Sequence, residues 1–176
     1  MQDILIVYDS KTGNTEKVAK ALAEAAGERV LLCRYDEAPN ADGFSVVFVG
    51  YWVDRGMPNA NMKQYLPMLK NKKVVLFQTL GAEPKSEHAL ACVANAGKLL
   101  DESNSVLGAL SFRGAIDPQL IAMMRKMPAG SPHAPTPETE ARWAAAASHP
   151  DAQELQEARD YMAKFLYMFE RFYKNM

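Results

Sequence analysis

"DILIVYDSKTGNTEKVAKALAEA", residues 3–25, joins an unbroken apolar run to a helical stripe through a linker of small polar residues. Residues 3–8 show no polar alternation, which predicts a strand buried on both faces, as in a parallel sheet covered by helices. From Thr15 the apolar positions become Val18, Ala19, Leu22, Ala23 and Ala26, one face of an α-helix that Gly27 is placed to end. Between the two, Ser10, Thr12 and Thr15 crowd around Gly13 and Asn14. Capping a helix takes one hydroxyl, and three exceed that need. Backbone N–H groups at a helix start lack partners and carry partial positive charge, so they attract an anion. Hydroxyls at Ser10, Thr12 and Thr15 add donors, and Gly13 lets the backbone approach closely. The loop Asp9–Thr15 therefore reads as a phosphate cradle with no obligatory cation. It lacks the Gly-Lys-Ser/Thr ending of a Walker loop, and no GxGxxG occurs.

Outward from this stretch, strand-like and helix-like segments alternate. Further strands are expected at Arg29–Tyr35, Phe44–Tyr51, Val74–Leu80 and Val106–Phe112. Residues 62–70 predict a short helix limited by Pro67, and 86–102 a longer one capped by Ser86. Asp117-Pro118 starts a helix running to Met127. Residues 128–150 hold five prolines and read as an irregular excursion around one short Ala-rich helix, and 151–174 form a long amphipathic helix. The expected fold is α/β in three layers, a doubly wound five-stranded parallel sheet, with 1–176 as a single domain. Ligands in such sheets bind beyond the carboxyl ends of the strands, where strand order reverses.

Composition narrows the function. A net charge of −1 over 176 residues gives no basic footprint for nucleic acid and little long-range steering. The longest apolar runs are too short to span a membrane, and residues 1–30 lack a signal-peptide pattern, so a cytoplasmic protein is expected. Cys33 and Cys92 read as buried thiols in a reducing compartment, and the scattered His88, His133 and His149 make no metal pattern.

Ser10-Lys11-Thr12-Gly13-Asn14-Thr15 after a buried first strand resembles the phosphate-binding loop of the flavodoxin family, which binds FMN. "GYWVDRGMP" (50–58) and "TLGAEPKSEHA" (79–89) sit where that family places its two flavin-contacting loops. The resemblance implies a cofactor site of Ser10 to Thr15, of Tyr51, Trp52, Val53 and Asp54, and of Thr79, Leu80 and Gly81. Backbone groups of the last three would meet the isoalloxazine edge, with Trp52 or a neighbour covering one face. Asp54 is either a loop cap or, near the ring, a charge that disfavours its anionic reduced form, and Gly56 either lets a carbonyl turn toward a flavin nitrogen or is an ordinary turn glycine. Residues 79–89, 111–118 and the closing helix look like a subgroup from anaerobic bacteria, some members of which accompany reductases of pigments such as bilirubin. Members of that subgroup often carry Cys-x-Gly-Lys where this chain has Phe112-Arg113-Gly114-Ala115, so no role rests on that thiol or amine here.

Three functions compete. The leading one is an FMN electron carrier shuttling between a reductase and an acceptor protein, with no catalytic residues of its own. The alternative is an FMN-dependent NAD(P)H oxidoreductase reducing a small-molecule acceptor such as a quinone or pigment. In that case the excursion, with His133, Trp143 and His149, would form a lid over the flavin. The remote third is a receiver-type signalling domain using Asp9 and Asp54, in which the hydroxyl-rich loop has no purpose. Arg113 follows the fifth strand, where contact with the cofactor or a partner competes with a solvent-facing place, and the solvent-facing place is expected.

Overall fold

The apolar runs become the parallel strands β1 (Ile4–Tyr8), β2 (Val30–Arg34), β3 (Val46–Asp54), β5 (Lys73–Leu80) and β6 (Ser105–Arg113) in a computed structural model. Their order is β2-β1-β3-β5-β6, so the chain leaves β1 toward one side, returns at β3 and then proceeds to the other. The switch point lies between β1 and β3. The sheet has six strands rather than five, because β4 (Met57–Pro58) pairs antiparallel with the end of β3. The structure describes residues 2–131 and 134–172; Pro132 and His133 of the excursion, and Tyr173 and Lys174 of the last expected helix, lie outside them.

Strand alternation splits the core into two layers. Ile4, Ile6, Tyr8, Phe48 and Phe77 point toward α1 (Asn14–Ala26) and α6 (Ala152–Phe172), where Val18, Leu22, Met162 and Phe169 meet them. Phe165 of α6 sets its ring edge-on to Phe48 at 5.0 Å and stacks on Phe169 at 5.5 Å. Leu5, Val7, Val47, Val49 and Tyr51 point the other way, onto Met62 of α2 (Ala60–Tyr65), Leu66 and Ala96 of α3 (Glu87–Gly97). Pro67 falls in a 3-10 turn, Leu66–Met68, that closes α2.

Several boundaries differ from the sequence reading. Helix α3 is capped by Ser86 Oγ, which accepts from Ala89 N–H, yet it ends at Gly97 rather than 102. Helix α4 (Pro118–Met124) takes its cap from Asp117 and ends three residues before Met127. The excursion contains α5 (Pro137–Ala146), capped by Thr136. Both cysteines are free, but Cys33 is only partly buried; desolvation still pushes its thiol up to about 11. Among the described residues no helix is long and apolar enough to cross a membrane.

Candidate functional site

The crevice at the switch point is walled on one side by the loop between β1 and α1. Gly13 adopts φ 92° and ψ −6°, a left-handed conformation that favours glycine. This turn brings the Gly13 N–H onto Ser10 Oγ at 3.1 Å and leaves helix α1 without a side-chain cap. The helix start therefore retains donors for an external anion. Asn14 Nδ2 donates to the Ala115 carbonyl at 2.8 Å and to Thr12 Oγ1 at 3.3 Å. Gly114 is pressed against it: a Cβ there would lie 2.8 Å from Asn14 Nδ2. Lys11 pairs with Asp117 at 2.9 Å, and that contact holds the Asp117 carboxyl below its ordinary range. The segment after β6 thus clasps the loop at two points.

Thr15 is fully buried, with its hydroxyl 2.8 Å from that of Thr79. A hydroxyl pair places one proton between its oxygens and leaves the other proton free to donate outward. Ser10 accepts from Gly13 and Thr12 from Asn14, so their own O–H groups also stay available. Asp9, 6 % exposed, accepts from Asn59 Nδ2 at 2.6 Å and Asn61 Nδ2 at 2.8 Å. This sealed carboxylate ties the first loop to the chain after β4.

The second wall is the β3–β4 hairpin. Arg55 and Gly56 have φ of 51° and 77°, a two-residue turn of the kind whose twist suits antiparallel strands. Trp52, partly exposed, pairs with Thr79 in the ladder, and its carbonyl accepts from Asn59 N–H at 3.1 Å. Val53 and Asp54 are also partly exposed. Tyr51 is wholly buried and donates to Gln78 Oε1 at 3.2 Å, so only its backbone can meet a ligand. Burial raises its phenol above the ordinary range. The Gly56 carbonyl accepts from Asn95 Nδ2 of α3 at 3.0 Å.

The third wall follows β5. Thr79 and Leu80 are buried, and Gly81 sits so close to Ile116 that a Cβ would fall 2.8 Å from that side chain. Arg113, at the end of β6, does not face solvent: its side chain is 13 % exposed and its Nη1 donates to Glu83 at 2.6 Å. Two buried side-chain atoms here have no hydrogen-bond partner, the acceptor Asn59 Oδ1 and the donor Arg113 Nε. Buried polar atoms are almost always satisfied, so these fit a site meant to receive a polar ligand.

Trp143 and His149 line a cavity of about 510 Å³ with Thr12, Asn14 and Lys17, beside the first loop. His149, Asp151 and Glu154 bring ligand-type atoms within 4.8 Å of one another. Asp151 and Glu154 already cap α6 reciprocally, Glu154 N–H donating to Asp151 Oδ1 at 2.9 Å and Asp151 N–H to Glu154 Oε2 at 3.1 Å. Local pattern reading found the first loop but missed Asn59, Asn61 and Asn95, whose partners are 39 to 52 residues away.

The chain is similar to known proteins. A flavodoxin-like domain-containing protein, BilS, from Clostridioides difficile is 31% identical over 159 residues, 88% of this chain and 90% of that protein. The crystal structure of oxidised flavodoxin 2 from Bacillus cereus superposes with a TM-score of 0.60 at 16% identity, covering 95% of this chain and 99% of that one. A flavoprotein from Lactobacillus acidophilus, solved in complex with FMN, gives a TM-score of 0.52 at 17% identity, covering 63% of this chain and 93% of its own. The profile of the flavodoxin domain matches residues 5–163, and with the strand order and the hydroxyl-rich first loop in place, this chain belongs to the flavodoxin family.

Proposed function

We propose that this protein binds FMN and carries electrons between redox protein partners, a reductase on one side and an acceptor on the other. The observation that carries the reading is the uncapped start of α1 behind left-handed Gly13, ringed by Ser10, Thr12 and Thr15 at the switch point. Such a loop suits a terminal phosphomonoester. Lys11 is engaged by Asp117, so backbone N–H groups and hydroxyls hold the phosphate, with Asn14 bracing the turn. Trp52, Val53 and Asp54, with backbone of Tyr51, Thr79, Leu80 and Gly81, border the ring. Bound FMN supplies the one- and two-electron chemistry that the side chains lack. The residues' part is to orient the ring, shield it from water and leave one edge open to a partner.

Chromatography of acid-released cofactor tests this reading, with one FMN per chain expected; FAD, or no flavin after reconstitution, would falsify it. Anaerobic titration separates carrier from oxidoreductase. NADH or NADPH alone is expected to reduce the flavin slowly, whereas dithionite or a flavoprotein reductase does so readily. Turnover with either nucleotide at around 10 per second would instead establish the enzyme reading.

Trp52 offers a further check. An indole stacked on the isoalloxazine quenches its fluorescence and contributes about 0.5–1.5 kcal/mol beyond area burial. Trp52→Ala is expected to brighten bound FMN and loosen it several-fold with apo-protein melting unchanged. Unaltered flavin signals with a large drop in melting would make Trp52 a core residue only.

A further inference from the structure

Arg113 carries a charge that neither phosphate binding nor ring stacking uses. A guanidinium cannot shed its proton to relieve burial. Its backbone N–H is taken by Glu154 Oε1 at 2.8 Å and its Nη1 by Glu83, but Nε is buried with no partner. Glu83 is 69% exposed, so solvent screens much of what it offers. Glu154 is itself engaged by His149 Nδ1 and the Asp151 N–H. The corner therefore keeps a fixed cation whose Nε donor is buried and unpartnered.

Its place in the sheet says where that field acts. Phe112 points into the core beneath α1 and α6, so strand alternation directs Arg113 to the α3 side. It stands opposite Leu80 in the ladder, and Gly114 N–H donates to the Leu80 carbonyl at 2.8 Å. Thr79 to Gly81 is the segment that borders the ring edge when FMN occupies the crevice.

Resting on that FMN reading, we propose that Arg113 supplies the positive charge that favours the reduced, anionic flavin. Full reduction adds two electrons from a reducing partner and one proton from solvent, so the neutral ring gains one negative charge. A fixed cation beside that ring lowers the free energy of the reduced state and leaves the oxidised state almost unaffected. It opposes Asp54, whose carboxylate on the hairpin acts in the other direction. A carrier with this pair holds its potential by a balance of two charges at the ends of different strands.

The test measures dissociation constants for oxidised FMN and for dithionite-reduced FMN in the wild type, Arg113→Met, Arg113→Lys and Glu83→Gln. In Arg113→Met the ratio of reduced to oxidised dissociation constants is expected to rise about tenfold, a fall of 29.6 mV in the two-electron potential. Arg113→Lys should keep the ratio within about threefold of wild type, because the charge survives. Glu83→Gln should leave the ratio at or slightly below that of the wild type, because solvent already screens that carboxylate. If Arg113→Met does not fold, Arg113→Gln is read in the same way. An unchanged ratio, or equal weakening of both redox forms, overturns the proposal and leaves Arg113 a structural residue. Wild-type protein that binds neither form of FMN would sink the underlying reading instead.

Discussion

Thr15→Ala is expected to weaken FMN by about 1.5–3 kcal/mol, roughly ten- to a hundredfold, and riboflavin far less. The lost group is a donor to a charged oxygen, the stronger kind of hydrogen bond. The structure adds a second effect. Thr15 Oγ1 is the partner of Thr79 Oγ1, and both residues are buried, so the substitution also strands the Thr79 hydroxyl. An unmet buried hydroxyl costs about 1–3 kcal/mol, and each kcal/mol moves the melting temperature by about 2–4 °C in a chain of this size. Apo-protein melting should thus fall together with FMN affinity. Thr12→Ala supplies the contrast, because Thr12 is exposed: it should lose FMN affinity with melting unchanged. Equal losses for FMN and riboflavin in Thr15→Ala would put the phosphate elsewhere.

Gly50→Ala should be the most damaging single methyl in the sheet. Gly50 pairs with Phe77 across β3 and β5, and a Cβ on it would overlap Phe77 Cζ and Cε2 and lie 2.8 Å from Cε1. Phe77 is fully buried and cannot swing into solvent. Overpacking on this scale costs about 3 kcal/mol, with melting lowered by roughly 6–12 °C. The damage should reach the site, because the Gly50 carbonyl accepts from Asp9 N–H at 3.1 Å, where β1 hands over to the phosphate loop. Phe77→Leu combined with Gly50→Ala should regain part of the loss. Calorimetry showing Gly50→Ala as stable as wild type would mean the ring has room that the geometry denies.

The parallel strands and the first loop were legible because their signals are local. Ile4 to Tyr8 is apolar without a break, and Ser10, Thr12, Gly13 and Thr15 fall within six positions. Strand β4 was not legible: it is two residues long, one of them proline, and its turn places Arg55 in a left-handed conformation for which glycine would be the usual signal. The end of α3 at Gly97 was masked by Leu99 and Leu100, which continue the apolar rhythm in a turn outside the helix. The buried state of Arg113 was illegible for a different reason. Its neighbours Glu83 and Glu154 come from 30 and 41 residues away, and no local pattern announces a cation folded inward.

The clasp on the phosphate loop also bears on when the protein becomes competent. Asn14 and Ala115 are 101 residues apart, and Lys11 reaches Asp117 on the same segment. During synthesis the loop leaves the ribosome before its braces, which arrive only after β6 has been made. Completion of the clasp is therefore a late event in the making of each new chain. A ribosome stalled before β6 would hold a nascent loop with its hydroxyls complete and its clasp still missing.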